Sequence, residues 1–208
     1  MKRKSAPKKI KAVLFDLGKV ILHFDFTPAF KKLSASSSLT PLQIDDYFRQ
    51  SGLEVLYDGG KITSKKFYQE VKKALDHGLS FAEFRDVWNR IFTPNERIVS
   101  LISELKGRYR LVLISNTNAM HFEYVIKRYP VLGHFDKHIL SFKEKIRKPD
   151  ERIYRTAIRA CRAKAHEILY IDDRSDLTEA AEKIGLHTFT FKNNADTLIQ
   201  RMKKLEIL

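Results

Sequence analysis

The amino-acid sequence predicts an α/β fold, with a parallel sheet of about five strands, helices on both faces, and a small all-helical cap inserted after the first strand. Two observations support this prediction. Beyond residue 110, short apolar runs alternate with helical stretches, as in the crossover units of a parallel sheet. Across residues 21–92, helix signals follow one another without a convincing strand.

The predicted sheet begins early in the chain and resumes after the cap. We expect strands at residues 13–16, 111–114, 138–140, 168–171 and 188–191. We expect the intervening helices at residues 119–128, 150–162, 176–183 and 195–205. Pro149 suits the first turn of the second of these helices, and Asn194 suits the N-cap of the last. Residues 12–20 and 93–208 therefore form the predicted core, a Rossmann-like sheet.

The predicted cap consists of helices with recognisable starts. Thr40 with Gln43, and Ser80 with Glu83, have the spacing of capping boxes. Gly52 follows the first of these helices as a stop signal. About 70 residues are enough for a small four-helix lobe.

The start of the chain is strongly basic. The first eleven residues carry six of the 39 Lys and Arg residues and no acid, in a chain with 25 Asp and Glu and a net charge of +14. We expect residues 1–11 to form a disordered, solvated arm, because they offer little apolar surface to bury. Since such an arm would touch nucleic acid only through non-specific phosphate contacts, we expect no nucleic-acid partner.

Composition excludes several classes of protein. A single cysteine, Cys161, rules out a disulfide scaffold and suits a reducing compartment. No apolar run approaches the roughly 18 residues of a membrane span, and the basic start lacks the apolar segment of a secretory signal. We therefore expect a soluble, cytoplasmic protein without a membrane partner, as a monomer or weak dimer.

Polar residues gather where the predicted strands end. An open parallel sheet binds its ligands at the carboxyl ends of its strands. The residues that share this position are Asp16, Ser115, Asn116, Lys148, Asp172 and Asp173. Each alone could be a helix cap or a surface charge, but together they indicate a site.

The three carboxylates of this set predict a compensating cation. Unpaired, they would repel one another by about 4 kcal/mol per pair at about 4 Å and an effective dielectric near 20. Lys148 supplies one positive charge, and oxygen-only ligands suit Mg²⁺. With a hydroxyl and backbone N–H groups, these residues make a phosphate-binding set. Within it, a carboxylate can attack phosphorus and carry the phosphoryl group as an aspartyl phosphate.

Four segments in order, FDLGKVIL, LVLISNTN, RKPD and LYIDD, resemble the motifs of the haloacid dehalogenase-like (HAD) hydrolase superfamily, over residues 12 to about 205. The helical insert after the first segment is similar to the cap of the C1-capped branch. The DLG segment, the segment YDGGKIT at residues 57–63 and Ser141 are similar to the bacterial sugar-phosphate phosphatases that include α-D-glucose-1-phosphate phosphatase.

The resemblance implies a Mg²⁺-dependent phosphomonoester hydrolase acting on a small phosphorylated metabolite, with a sugar phosphate such as glucose 1-phosphate as the expected substrate. It implies that Asp16 is the nucleophile and that Lys148 neutralises both Asp16 and the transferring group. The implied phosphate-binding residues are Ser115, Asn116 and Lys148. The implied metal ligands are Asp16, the Gly18 carbonyl, Asp173 and, as ligand or orienter, Asp172.

Two residues depart from the family pattern. Gly18 removes the side chain that protonates the leaving oxygen in Asp-x-Asp members, an acid/base worth about 10²–10⁴-fold. That loss matters least for a good leaving group, which favours a sugar 1-phosphate. His23 and Asp25 are the nearest titratable replacements, although a surface or hinge role is commoner for such residues. Leu177 stands where many members carry Asp or Asn, which leaves Asp176 to support the metal.

Two alternatives remain open from the sequence. A carbon–halogen hydrolase of the same fold would need no metal, and the pair Asp172 and Asp173 argues against it. A catalytically weak or silent HAD-like protein could bind a phosphometabolite or nucleic acid, and Gly18 and Leu177 keep this alternative open. Turnover of an aryl phosphate with and without Mg²⁺ separates both alternatives from a phosphatase.

Overall fold

The structure, a computed structural model, describes residues 9–208. Its strands are β1 (Ala12–Phe15), β2 (Leu22–Phe24), β3 (Phe92–Pro94), β4 (Arg110–Ser115), β5 (Lys137–Leu140), β6 (Ile168–Asp172) and β7 (His187–Thr190). A five-stranded sheet has the order β5-β4-β1-β6-β7, with every neighbouring pair parallel. The predicted α/β class and parallel sheet are confirmed.

Helices cover both faces of this sheet and form the insert. In the insert lie α1 (Thr27–Ser34), α2 (Pro41–Ser51), α3 (Leu53–Asp58), α4 (Ser64–Leu75) and α5 (Phe81–Asn89). In the core lie α6 (Glu96–Leu105), α7 (Ala119–Arg128), α8 (Ser141–Glu144), α9 (Glu151–Cys161), α10 (Ser175–Lys183) and α11 (Ala195–Lys204). No helix within residues 9–208 combines the length and apolarity needed to cross a bilayer.

The central strands are apolar on both faces because both faces are covered. Along β1, Val13 and Phe15 join one buried cluster, while Ala12 and Leu14 join the other. All four residues are 0 % exposed. A strand buried on both sides reads as a continuous apolar run rather than as an alternating one, which is why β1 was readable from the sequence.

The cap is organised around aromatic side chains. The buried rings come from several of its helices and include Phe30, Phe48, Phe67, Phe84 and Trp88. Both predicted capping boxes are present, at the starts of α2 and α5, and Gly52 ends α2 in the left-handed conformation. These local signals were sufficient because the side chain of an N-cap residue bonds only to the first turn of its own helix.

One prediction for the insert is wrong, because two short strands lie at its ends. Strand β2 pairs antiparallel with β3, with His23 opposite Thr93. Each strand has only three residues, too few for an alternating pattern to be recognised. This ribbon carries both connections between cap and core.

Two smaller boundaries also differ from the predictions. Ile10 is 3 % exposed and Lys11 N donates to Glu167 O (2.8 Å), so these two residues belong to the core rather than to an arm ending at residue 11. Lys9 is exposed, and residues 1–8 of the predicted arm lie outside the described residues. Pro149 precedes the N-cap of α9, Asp150, instead of occupying the helix's first turn.

Gly60 is required where the cap meets the core. Its φ is +63°, and a Cβ there would lie 2.2 Å from the carbonyl oxygen of Phe142. Gly52 has a similar φ of +66° but no atom within 4 Å of such a Cβ. A comparison of Gly60 with Gly52 therefore separates two reasons for glycine: the left-handed backbone, which both positions have, and the lack of space for a Cβ, which only Gly60 has.

Gly60→Ala should therefore lower the free energy of unfolding more than Gly52→Ala. Both variants carry the left-handed penalty of about 1–2 kcal/mol, and only Gly60→Ala adds about 1–3 kcal/mol of overpacking. Urea unfolding of the two variants measures the difference. Equal losses would show that the cap does not rest on Phe142.

Candidate active site

The carboxyl edge of the sheet brings the predicted site residues together. Strand β1 pairs in parallel with β6, with Phe15 opposite Ile171. Asp16 therefore lies beside Asp172, and its backbone N–H donates to the Ile171 carbonyl (2.9 Å). Ser115 ends β4, the other neighbour of β1, at the same edge. The register of the sheet thus assembles residues that are far apart in the chain.

Lys148 lies at the centre of the charges. Its Nζ donates to Asp16 Oδ1 and Asp172 Oδ2, both at 2.6 Å, and the residue is 4 % exposed. The side chain of Asn116 fixes the lysine's backbone: its Nδ2 donates to Lys148 O (3.0 Å), and its Oδ1 accepts from Lys148 N (2.9 Å). The Asn116 side chain is therefore occupied in positioning the lysine.

Tyr170 also belongs to this site; it lies within the segment LYIDD but was not among the predicted site residues. Its hydroxyl donates to Asp172 Oδ2 and accepts from Lys148 Nζ (3.3 Å). The other Asp172 oxygen, Oδ1, accepts from Arg174 N (3.0 Å). Residues two apart on a strand share a face, so the position of Tyr170 two before Asp172 was the available signal. Both oxygens of Asp172 are engaged by protein groups.

Asp173 completes a cluster of carboxylates. Among residues 9–208 it forms no ion pair, whereas Asp172 pairs with Lys148. One oxygen from each of Asp16, Asp172 and Asp173 lies within 4.8 Å of the others. Lys148 pairs with two of the three carboxylates and leaves Asp173 without an ion pair among the described residues, so the cluster fits a divalent cation, and its all-oxygen donor set suits Mg²⁺.

Burial and charge shift the pKa values of this cluster. Burial raises the pKa of Asp16 to about 7, with Lys148 opposing the shift and Asp172 adding to it. Burial alone would lower the pKa of Lys148, but the charges of Asp16 and Asp172 outweigh it and raise that pKa above its usual value. Burial and the charge of Asp172 also raise the pKa of Asp173. Burial and repulsion between the carboxylates therefore both oppose ionisation of Asp16 and Asp173.

Gly18 leaves space that an aromatic ring fills. Its φ lies outside the left-handed region, so the backbone does not require glycine. A Cβ there would lie 3.0 Å from Phe24 Cε1 and 4.0 Å from Asp16 Oδ2. Phe24 projects from β2 and packs edge-on against Phe26 and Phe92, at ring-centroid distances of 5.9 and 6.3 Å. The ring lies where a side chain from position 18 would extend.

None of the candidate replacements for the acid missing at Gly18, or for the metal support missing at Leu177, lies in the site. Asp25 Oδ1 accepts from Thr27 N (2.8 Å) at the start of α1. Neither His23 nor Asp25 lines the cavities that border Gly18. The exposed Asp176 pairs with Arg174 (2.6 Å), outside the carboxylate cluster.

The Leu177 side chain is 2 % exposed, and its carbonyl accepts from Tyr154 Oη (3.0 Å). Leu177 therefore packs beneath the site.

The segment YDGG fastens the cap to the core. Asp58 Oδ1 accepts from Asn118 Nδ2 (3.0 Å), and the Asp58 carbonyl accepts from the Ser141 hydroxyl (2.5 Å). The hydroxyl of Tyr57 accepts from Met120 N (3.1 Å). These hydrogen bonds join α3 of the cap to the loops that follow β4 and β5.

A cavity of about 170 Å³ lies between cap and core and shares Gly18, Phe24, Asp58 and Asn116 with the adjoining cavity that the carboxylate cluster lines. Its lining combines apolar and polar side chains with the site loops: Leu17, Gly18, Phe24, Phe26, Glu54, Asp58, Ile91, Phe92, Ser115, Asn116, Thr117, Asn118 and His121. A group bound against Gly18 and Ser115 is therefore enclosed by residues of the cap.

Comparison with known proteins agrees with this geometry. The family model for haloacid dehalogenase-like hydrolases matches residues 10–185. The chain belongs to that family.

Three relatives show what proteins of similar sequence do. A HAD family enzyme of Bacteroides thetaiotaomicron, solved in complex with magnesium and inorganic phosphate, is 25 % identical, and the match covers 89 % of this chain and 96 % of that one with a TM-score of 0.80. A sesquiterpene phosphatase of Aspergillus oryzae is 24 % identical over 180 residues, 85 % of this chain and 87 % of the relative. A glyceraldehyde 3-phosphate phosphatase of Pyrococcus abyssi is 32 % identical over 118 residues, 56 % of this chain and 46 % of the relative.

Asp173→Asn should raise the melting temperature in the absence of divalent metal. Because the folded state raises the pKa of Asp173, the stability of the wild type falls as the pH rises through that pKa. At pH 8 the amide removes this penalty, so the melting temperature should rise. Calorimetry with and without Mg²⁺ measures it.

The control for this experiment is Asp176→Asn, which removes a carboxylate already paired with Arg174 and should bring no gain. Mg²⁺ should raise the melting temperature of the wild type more than that of Asp173→Asn, since a ligand that binds only the folded state stabilises it. Equal stabilisation of both proteins would remove Asp173 from the set of ligands.

Proposed function

We propose that this protein is a Mg²⁺-dependent phosphomonoester hydrolase that acts on a small phosphorylated metabolite through a phosphorylated Asp16. The observation that carries the proposal is the buried Lys148 held between Asp16 and Asp172, with the carboxylate of Asp173 beside them. The phosphatases among the relatives, and the magnesium and phosphate in the related HAD enzyme, support it.

In the proposed first step, a carboxylate oxygen of Asp16 bonds to phosphorus as the bond from phosphorus to the alcohol oxygen breaks. Lys148 holds the carboxylate in place and offsets negative charge on the transferring group. The Ser115 hydroxyl and the Asn116 backbone N–H are the proposed phosphate donors, since the Asn116 side chain is committed to Lys148. Water then hydrolyses the acyl phosphate and restores Asp16.

The proposed metal ligands are Asp16, the Gly18 carbonyl and Asp173. Bound there, Mg²⁺ would neutralise charge on the phosphoryl oxygens. For Asp172, the partners at both of its oxygens favour the role of orienter of Lys148 over that of ligand. The insertion of the helical cap after the first strand supports placing the protein in the C1-capped branch.

The proposed substrate is a sugar phosphate, for which glucose 1-phosphate is the test compound. The cavity supports this choice, because it is lined by Glu54 and Asp58, whose carboxylate oxygens can accept hydrogen bonds from hydroxyl groups. The related phosphatases act, by their names, on a sesquiterpene and on a triose phosphate. A panel containing sugar, triose and isoprenoid phosphates, assayed for phosphate release with Mg²⁺, decides between these classes. A preference for the isoprenoid ester would overturn the sugar assignment.

Asp16→Asn should lower kcat for 4-nitrophenyl phosphate by at least about 10³-fold, because the amide has nearly the same shape but cannot attack phosphorus. Steady-state kinetics with saturating Mg²⁺ measures the loss. The matched control is Asp76→Asn at an exposed helix end, where asparagine tolerates the left-handed backbone (φ 47°) and activity should not change. Retention of a tenth of the activity by Asp16→Asn would rule out the nucleophile assignment.

A further inference from the structure

The position that supplies an acid in Asp-x-Asp members of the family is a glycine in this chain, and the Phe24 ring lies against it. Gly18 has no side chain, and the Phe24 ring lies 3.0 Å from where its Cβ would be. His23 and Asp25 do not line the cavities that border Gly18. If the proposed phosphatase function holds, the leaving oxygen must receive its proton from another group.

Glu54 is a carboxyl group in the cavity with no structural task. It projects from α3 of the cap, is half-buried, and borders the same cavity as Gly18, Ser115 and Asn116. Within residues 9–208 its carboxylate forms no hydrogen bond and no ion pair. Asp16 and Lys148 line the adjoining cavity, which shares Gly18, Phe24, Asp58 and Asn116 with the cavity of Glu54.

The other titratable groups of this cavity are already engaged. Asp58 accepts from Asn118 and faces Arg147 at 3.9 Å, which fastens the cap to the core. The ring of His121 is hydrogen-bonded at Nδ1 to Asn118 (3.2 Å) and at Nε2 to the Trp88 carbonyl (3.1 Å). Burial lowers the pKa of His121 to about 4, which favours the neutral ring, and the one N–H of that ring donates to the Trp88 carbonyl. Glu54 remains.

The charges around Glu54 favour its protonated form near neutral pH. Burial raises its pKa to about 7, and the charge of Asp58 on the same helix adds to this shift. Arg147 from the core opposes it, and Asp45 of α2 adds a small further increase. A general acid and base works best when its pKa lies near the operating pH.

We propose that Glu54 is the general acid and base of this enzyme, a role that rests on the proposed phosphatase function. In the first step its carboxyl proton passes to the alcohol oxygen as the bond from that oxygen to phosphorus breaks and the phosphoryl group passes to Asp16. In the second step the Glu54 carboxylate takes a proton from the attacking water as the acyl phosphate is hydrolysed. Glu54 ends the cycle protonated, and Asp16 ends it as a free carboxylate.

The test compares esters whose leaving groups differ in their need for a proton. Glu54→Gln should lower kcat/KM for an alkyl phosphate by about 10²–10³-fold, within the range for loss of an acid/base. For 4-nitrophenyl phosphate, whose leaving group departs as an anion, the loss should stay within about threefold, since no protonation is required. Glu70→Gln, on the exposed side of α4 and paired with Lys66, is the matched control and should change neither rate.

Two further measurements separate the acid role from a structural one. With the alkyl ester, kcat/KM of the wild type should fall above a pH of about 7, and Glu54→Gln should lack this limb. Adding Gly18→Asp with Phe24→Ala to Glu54→Gln places a carboxyl group beside Asp16 and removes the ring that blocks it. For the alkyl ester, kcat/KM of this triple variant should be at least tenfold higher than that of Glu54→Gln.

The outcomes distinguish the two proposals. Equal losses for aryl and alkyl esters in a variant that melts like the wild type would show that Glu54 only binds or positions substrate, and would overturn the acid role. Unchanged rates for both esters would overturn it as well. A wild type without Mg²⁺-dependent turnover of any ester would refute the phosphatase function, and the role of Glu54 with it.

Discussion

The buried charge of Lys148 is the constraint on which the site depends. An ammonium group taken out of water is stable only when opposite charges and hydrogen bonds surround it, and removing one partner of such a group is expensive. Here Asp16 and Asp172 contact the ammonium, and Asn116 holds the backbone of the same residue. The sheet register therefore contributes to the electrostatic stabilisation of Lys148, because it places Asp16 beside Asp172. The third carboxylate, Asp173, forms no ion pair among residues 9–208, and its oxygens with those of Asp16 and Asp172 suit a divalent cation.

The sequence predicted those parts of the molecule that depend on local chemistry or on one general rule. Continuous apolar runs indicated strands such as β1, and the capping boxes at Thr40 and Ser80 indicated helix starts. The rule that parallel strands end at one edge was enough to group Asp16, Asp172 and Lys148. Each of these inferences needs only neighbours in sequence or the direction of a strand.

What the sequence could not show depends on contacts between distant segments. The ribbon of β2 and β3 pairs residues about 70 positions apart and is too short to give a pattern. The side chain of Asn116 is occupied by the backbone of Lys148, and the ring of Phe24 fills the space beside Gly18. Ile10 is buried only because the core lies against it. In each case the partner is brought close by the fold, so composition and spacing carry no record of it.

The two-stranded ribbon and the YDGG segment together define how the cap is attached. Both chain crossings lie side by side in β2 and β3, so the chain joins cap to core along one ribbon. The hydrogen bonds of Asp58 to Asn118 and Ser141, with that of Met120 to Tyr57, tie α3 to the core at a second place. Asp58 also lines the cavity that contains Asp16 and Lys148. A residue that holds the cap against the core is thus part of the cavity wall, so a substitution that loosens the cap also changes the surface that a bound molecule meets.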